Sequence, residues 1–88
     1  MGLKIVKCSA SWCFPCKMLS KVLTPLVSEY KNIEYKEIDI EEDNDFAEKY
    51  QIRSLPTTLI FIGGMEVFRF VGTKNKEELK EIIDKYTK

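Results

Sequence analysis

The stretch Trp12-Cys13-Phe14-Pro15-Cys16 constrains the fold of this chain most, because it lies where an apolar strand is followed by a long helix. Two cysteines separated by two residues in the first turn of a helix can close a small disulfide and reopen it. Unpaired N–H groups and the helix dipole at such an N-terminus stabilise a thiolate, the attacking species in thiol chemistry. We therefore predict that Cys13, with an exposed and partly ionised sulfur, is the nucleophile. Cys16 would then resolve the mixed disulfide that Cys13 forms.

Half of a metal site is the alternative interpretation of the two cysteines. Structural zinc sites use four protein ligands, whereas the chain has no histidine and only Cys8 as a further cysteine. The pattern therefore favours redox chemistry with no metal and no bound organic cofactor, although a metal site bridging two chains stays open. Because the chain has no histidine, no imidazolium can stabilise the Cys13 thiolate, and we expect the N–H groups at the helix start and Lys7 to do so instead. Weaker activation makes the disulfide less oxidising, which favours a reductant.

Cys8 has two interpretations. It is either a small buried hydrophobe on the first strand or a regulatory or alternate disulfide partner. The odd cysteine count, without a recognisable secretion signal, argues against a disulfide scaffold.

Size and charge narrow the class of protein. The 88 residues predict a single domain over residues 1–88, and 44% hydrophobic with 32% charged residues is typical of a folded chain. Fourteen basic and fourteen acidic residues cancel, so the sequence indicates neither nucleic acid nor a membrane as a partner. We expect a cytoplasmic monomer.

The hydrophobic pattern predicts elements in the order β-α-β-α-β-β-α. Strands are predicted at residues 3–8, 33–40, 57–62 and 66–71, and helices at residues 14–30, from a cap at residues 43–45 through Tyr50, and from Asn75 onward. A right-handed crossover would make the first two strands parallel, and Gly63-Gly64 would turn a hairpin. Asn75 and Glu78 form a capping-box pattern. Pro25 predicts a kink in the long helix.

Three separate motifs resemble the thioredoxin family: residues 10–18 around the cysteines, residues 52–57, which read Ile-Arg-Ser-Leu-Pro-Thr, and Val71-Gly72. The resemblance implies an α/β, thioredoxin-like fold: a four-stranded mixed sheet of order 2-1-3-4 flanked by three helices. We place the long and last helices on one face and the short helix on the other.

The same resemblance implies a dithiol reductant of protein disulfides, in which Pro56 is cis and lies against the cysteines. Substrates would pair with the backbone of Leu55 across a groove whose predicted residues are Trp12, Phe14, Pro15, Leu55, Pro56 and Gly72. A thioredoxin-reductase-type protein or glutathione would supply electrons. The alternatives are a glutaredoxin-like, glutathione-dependent reductase and a non-catalytic binding module with this fold.

The sequence also departs from the family pattern. The usual opening strand and helix are missing, as in the trimmed core that glutaredoxins use, and Phe14 stands where thioredoxins have glycine. Lys7 occupies the position of a buried aspartate, and Glu37 that of its partner lysine. We hypothesise that Glu37 assists proton transfer at Cys16 while Lys7 stabilises the thiolate. The alternative is that both side chains extend their charged heads into water.

Overall fold

The structure, a computed structural model, describes residues 2–87 and has the predicted order of elements. The strands are β1 (Leu3–Ser9), β2 (Ile33–Asp39), β3 (Thr57–Ile62) and β4 (Met65–Val71), and the helices are α1 (Phe14–Val27), α2 (Asn44–Lys49) and α3 (Lys76–Thr87). The strand boundaries differ from the predicted ones by one residue at most. None of the helices in this part of the chain is long and apolar enough to cross a membrane.

The four strands form one mixed sheet in the order β2-β1-β3-β4, which confirms the predicted topology. Strand β1 pairs with β2 in parallel and with β3 in antiparallel orientation, and β3 pairs with β4 in antiparallel orientation. Lys7 on β1 therefore has Glu37 opposite it on one side and Thr58 on the other. One row of side chains beneath α1 thus comes from three neighbouring strands.

Helix α1 ends earlier than predicted, at Val27 rather than at Tyr30. The residues after it form turns, in which Glu29 N–H donates to the Leu26 carbonyl and Tyr30 N–H to that of Val27, both at 3.1 Å. Hydrogen bonds between residues three apart in the sequence, as in a 3₁₀-helix, commonly close the last turn of a helix. Pro25 lies inside α1, and the kink predicted there stays a prediction.

Local hydrogen bonds fix the start of the other two helices. Asp43 caps α2 by accepting a hydrogen bond from Phe46 N–H at 3.1 Å. At the start of α3, Asn75 Oδ1 accepts from Glu78 N–H at 2.8 Å, and Glu78 Oε1 accepts from Asn75 N–H at 3.1 Å. The predicted capping box is therefore confirmed.

Two apolar cores lie on opposite faces of the sheet, as predicted. The larger packs α1 and α3 on the sheet, and its buried residues include Ile5, Leu19, Leu23, Leu26, Ile60, Leu79 and Ile83. The smaller lies on the α2 face and contains Val6, Cys8, Ile38, Leu59 and Phe61, with Phe46 and Tyr50 packed against it. Successive residues of β1 thus enter different cores.

We expect Leu23→Ala to lower the free energy of unfolding by about 2–5 kcal/mol, because it removes a fully buried side chain from the larger core. Val22→Ala, at the neighbouring and only half-buried position, is the matched control and should have a smaller effect. Urea denaturation followed by circular dichroism measures both. Equal effects would contradict the assignment of Leu23 to the centre of this core.

Candidate redox site

Cys13 and Cys16 form a disulfide at the start of α1, with their Cα atoms 5.3 Å apart. Cys13 is the N-cap residue, with extended backbone angles, and its Sγ accepts a hydrogen bond from Cys16 N–H at 3.2 Å. Pro15 lies in the first turn, where the N–H that it lacks would have no partner within the helix. The spacing of the two cysteines thus puts one sulfur at the end of the helix and the other one turn later.

The disulfide is more buried than the sequence suggests. Cys13 is 4% exposed and Cys16 is 2% exposed, so the predicted exposed sulfur of Cys13 is wrong for this disulfide form. The reason is packing: the two cysteines cluster with Ala10, and the half-buried side chains of Ile40 and Leu55 lie against them. The exposed residues are instead the two on either side of Cys13 in the sequence, Trp12 and Phe14.

Trp12 and Phe14 flank Cys13 and expose large apolar surfaces, 67% and 69% of each residue. Beyond Phe14, an apolar groove of about 450 Å³ separates α1 from the loop before α3 and is lined by Phe14, Pro15, Met18, Leu19, Val22, Thr73, Lys74 and Asn75. Met18 precedes the buried Leu19, but its own side chain is exposed and lines this groove. Exposed apolar side chains next to a reactive group are typical of a contact surface.

The loop before β3 also reaches the cysteines, through Leu55. The Leu55–Pro56 peptide bond is cis, as predicted. Leu55 packs against the disulfide cluster, whereas Pro56 is buried and its carbonyl accepts a hydrogen bond from Gly72 N–H at 2.8 Å. Gly72 has a φ of +87°, a conformation that favours glycine. Leu55 thus contacts the disulfide cluster, and the next residue, Pro56, is hydrogen-bonded to Gly72.

Beneath the disulfide lies a charged side chain, that of Lys7, which is 1% exposed. Its Nζ donates to the Cys16 carbonyl at 2.9 Å and to Ser20 Oγ, and lies 3.5 Å from Glu37 Oε2. The alternative in which both charged heads extend into water is therefore wrong for Lys7. Glu37 does reach water, since 41% of its side chain is exposed. The two residues form an ion pair that is buried at one end only.

The Glu37 carboxylate also accepts hydrogen bonds from neutral hydroxyls. Tyr35 Oη donates at 2.8 Å, Ser20 Oγ at 3.0 Å and Thr24 Oγ1 at 3.4 Å, all to Oε2. Desolvation raises the pKa of Glu37, but the hydrogen bonds from Tyr35 and Ser20, together with the charge of Lys7, outweigh it and leave that pKa below its ordinary value. Glu37 therefore stays ionised at neutral pH.

Ser20, Thr24 and Tyr35 are site residues that sequence reasoning missed. A signal was present: Ser20 and Thr24 follow Cys16 at intervals of four residues, which places all three on one face of α1. Tyr35 and Glu37 alternate on β2 and so share a face of the sheet. The polar stripe on the helix and the polar pair on the strand face each other.

Cys8 is a buried residue of the smaller core, with no exposed surface. Desolvation raises the pKa of its thiol to about 11. Cys8 follows Lys7 on β1 and points to the opposite face of the sheet, away from the disulfide. The interpretation of Cys8 as a packing residue is supported by this position. Within residues 2–87, no group of three or more His, Cys, Asp or Glu side chains could hold a metal ion.

Comparison with known proteins assigns the family. The thioredoxin family model matches residues 2–85. The chain belongs to the thioredoxin family. A thioredoxin from Chlamydia pneumoniae is 41% identical over 85 residues, covering 97% of this chain and 83% of that protein. A thioredoxin from Staphylococcus aureus is 37% identical over 86 residues, again covering 97% and 83%.

Solved thioredoxin structures share the fold. A crystal structure of a thioredoxin from Nicotiana alata superposes with a TM-score of 0.89 at 36% identity, covering 97% of this chain and 73% of that one. As a member of the family with a Cys-x-x-Cys disulfide centre, this protein is a thiol–disulfide oxidoreductase that reduces protein disulfides. The family and the activity predicted from the sequence are confirmed.

The lowered pKa of Glu37 predicts a pH-dependent stability. A carboxyl whose pKa is depressed on folding stabilises the protein above its ordinary pKa, here 4.5, and this contribution disappears as the pH falls through the lowered value. We therefore expect the free energy of unfolding to fall below about pH 5. Glu37→Gln should make that decline shallower in denaturant titrations from pH 7 to pH 2.

Glu34→Gln is the matched control for this prediction. Glu34 lies on the same strand, and its exposed carboxylate lies 3.9 Å from Lys4 Nζ. This variant should keep the wild-type pH dependence. A Glu37→Gln curve parallel to that of the wild type would contradict the role assigned to the hydroxyl and lysine contacts of Glu37.

Proposed function

We propose that Cys13 is the nucleophile and Cys16 the resolving cysteine in the reduction of disulfide-containing protein substrates. The Cys13 thiolate attacks one substrate sulfur, the substrate disulfide breaks, and the first substrate thiolate leaves and takes a proton from water. The Cys16 thiol then loses its proton and attacks Cys13, which releases the second substrate thiolate. Two electrons pass from the protein dithiol to the substrate, and the Cys13–Cys16 disulfide forms.

One observation carries this assignment of roles: Cys13 is the N-cap of α1, and its Sγ already accepts the Cys16 N–H at 3.2 Å. A thiolate at that position keeps this hydrogen bond and gains from the helix dipole. Cys16 lies within the first turn, and its carbonyl accepts the hydrogen bond of the buried Lys7. The sulfur at the helix end is therefore better stabilised as an anion than the sulfur that follows it.

The substrate groove in this proposal consists of the surfaces on both sides of Cys13. Trp12, Phe14 and Pro15, which are exposed, would form one side of the groove, and Leu55 and Gly72 would form the other. A bound segment would pair with the backbone of Leu55. Pro56, which has no N–H and is held by Gly72, supports that edge. Phe14 enlarges the apolar contact of the substrate with the protein.

Lys7 and Glu37 support the reaction in this proposal. Lys7 would favour thiolate formation through its positive charge, which is buried next to the backbone carbonyl of Cys16. Glu37, or water beside its partly exposed carboxylate, would assist proton transfer at Cys16 during resolution, and Ser20 connects that carboxylate to Lys7.

The electron donor and the compartment complete the proposal. The oxidised protein would be reduced again by a thioredoxin-reductase-type protein or by glutathione, and it would act as a monomer. We propose the cytoplasm as its compartment, because glutathione and related systems there keep thiols reduced.

The two cysteine roles can be separated by substitution. Cys13→Ser should abolish insulin reduction in a turbidity assay with dithiothreitol as the electron source. Cys16→Ser should leave a stable mixed disulfide between Cys13 and its substrate, visible as an increase in mass that reduction removes. Cys8→Ser is the matched control and should retain wild-type activity. Trapping on Cys16 in the Cys13→Ser variant, with none in the Cys16→Ser variant, would reverse the roles.

The groove predicts a selective effect at Gly72. Gly72→Ala should destabilise the protein by about 1–2 kcal/mol because its φ is positive. It should also slow insulin reduction, since Gly72 holds the edge beside Leu55. Gly64→Ala is the matched control, with a similar φ of +82° in the β3–β4 turn. It should destabilise the protein to a similar extent without slowing reduction; equal losses of activity would exclude the groove role.

A further inference from the structure

The ion pair beneath the disulfide is asymmetric with respect to the reacting sulfurs. Lys7 is 1% exposed and its Nζ touches the carbonyl oxygen of Cys16 at 2.9 Å. The Glu37 carboxylate contacts Lys7 and Ser20 and is partly in water. The positive charge is therefore nearer to the cysteines and less screened than the negative charge.

This asymmetry affects the two redox states differently. The disulfide is neutral, whereas the reduced form holds a thiolate at the N-cap of α1. A nearby cation stabilises a thiolate and a nearby anion opposes it, with a tenfold or larger effect on the ionisation equilibrium when the charges are close and desolvated. Charges that remain fixed while the disulfide opens therefore favour one redox state over the other.

We propose that Lys7 and Glu37 set the redox equilibrium of Cys13 and Cys16 with opposite signs: Lys7 favours the dithiol, and Glu37 favours the disulfide. This inference rests on the proposed function, since it concerns the same pair of cysteines. Lys7 and Glu37 act here as positioning residues, because neither of them contacts a substrate sulfur during the thiol–disulfide reaction described above. The net effect in the wild type has the sign of the nearer charge, that of Lys7.

Equilibration with glutathione at pH 7 measures this balance. Two glutathione thiols supply two electrons and two protons, the Cys13–Cys16 bond breaks, and the bond of glutathione disulfide forms. Lys7→Met should lower the equilibrium constant for protein reduction about tenfold, which is about 30 mV toward a more reducing potential. Glu37→Gln should raise that constant by about threefold, since a more distant and partly hydrated charge acts more weakly.

Thr58→Val is the matched control. Thr58 lies opposite Lys7 on β3, is equally buried, and has a hydroxyl with no hydrogen-bond partner among the described residues. The substitution alters the packing of the same layer without changing a charge, so the potential should stay at the wild-type value. A shift of either charge variant that Thr58→Val reproduces in size and sign would be a packing effect and would overturn the proposal.

The signs of the two shifts decide the proposal. Potentials that move in the same direction for Lys7→Met and Glu37→Gln, or that do not move, would overturn it. If Lys7→Met does not fold, Glu37→Gln still decides through its own sign, because glutamine keeps an amide oxygen that can accept from Ser20 and Lys7. A wild-type protein that never exchanges with glutathione or insulin would instead contradict the proposed function, which is a distinguishable result.

Discussion

The position of β1 in the sheet is the constraint on which the rest of the site depends. This strand pairs with β2 on one side and with β3 on the other, and its end at Ser9 lies only four residues before the N-cap of α1. The short connection fixes the disulfide above the end of the strand. The two neighbouring strands then bring Glu37 beneath the disulfide and the loop with Pro56 beside it. The chemistry is thus assembled at one end of an inner strand.

Adjacent residues of β1 serve different purposes because successive side chains point to opposite faces. Lys7 faces α1 and meets Cys16, Ser20 and Glu37, so it carries its charge to the redox site. Cys8 faces α2 and packs in the smaller core, where its thiol is desolvated. A shift of one residue in register would turn Lys7 toward α2 and Cys8 toward α1, so that each would lie in the other's environment. Pairing with β2 on one side and with β3 on the other holds β1 in its register.

The sequence predicts the elements, the topology and the disulfide well, since these follow from periodic apolar residues and from motifs with a specific spacing. It does not predict contacts that depend on how elements pack. The burial of Cys13 depends on Ile40 and Leu55, which are distant in the sequence. The hydroxyls around Glu37 come from α1 and β2, and in the sequence each of these residues looks like an ordinary polar residue facing water. The end of α1 was missed because helical periodicity does not show where a sheet stops covering a helix.

The complete burial of Cys8 has a practical consequence for studies of folding. The buried sulfur of Cys8 reacts with an alkylating reagent only when the structure around it opens. The rate of its modification therefore measures how often the smaller core opens. Those openings are distinct from the turnover of the disulfide, which lies on the other face of β1. The chain therefore carries its own internal probe of breathing motions, without the need to introduce a new residue.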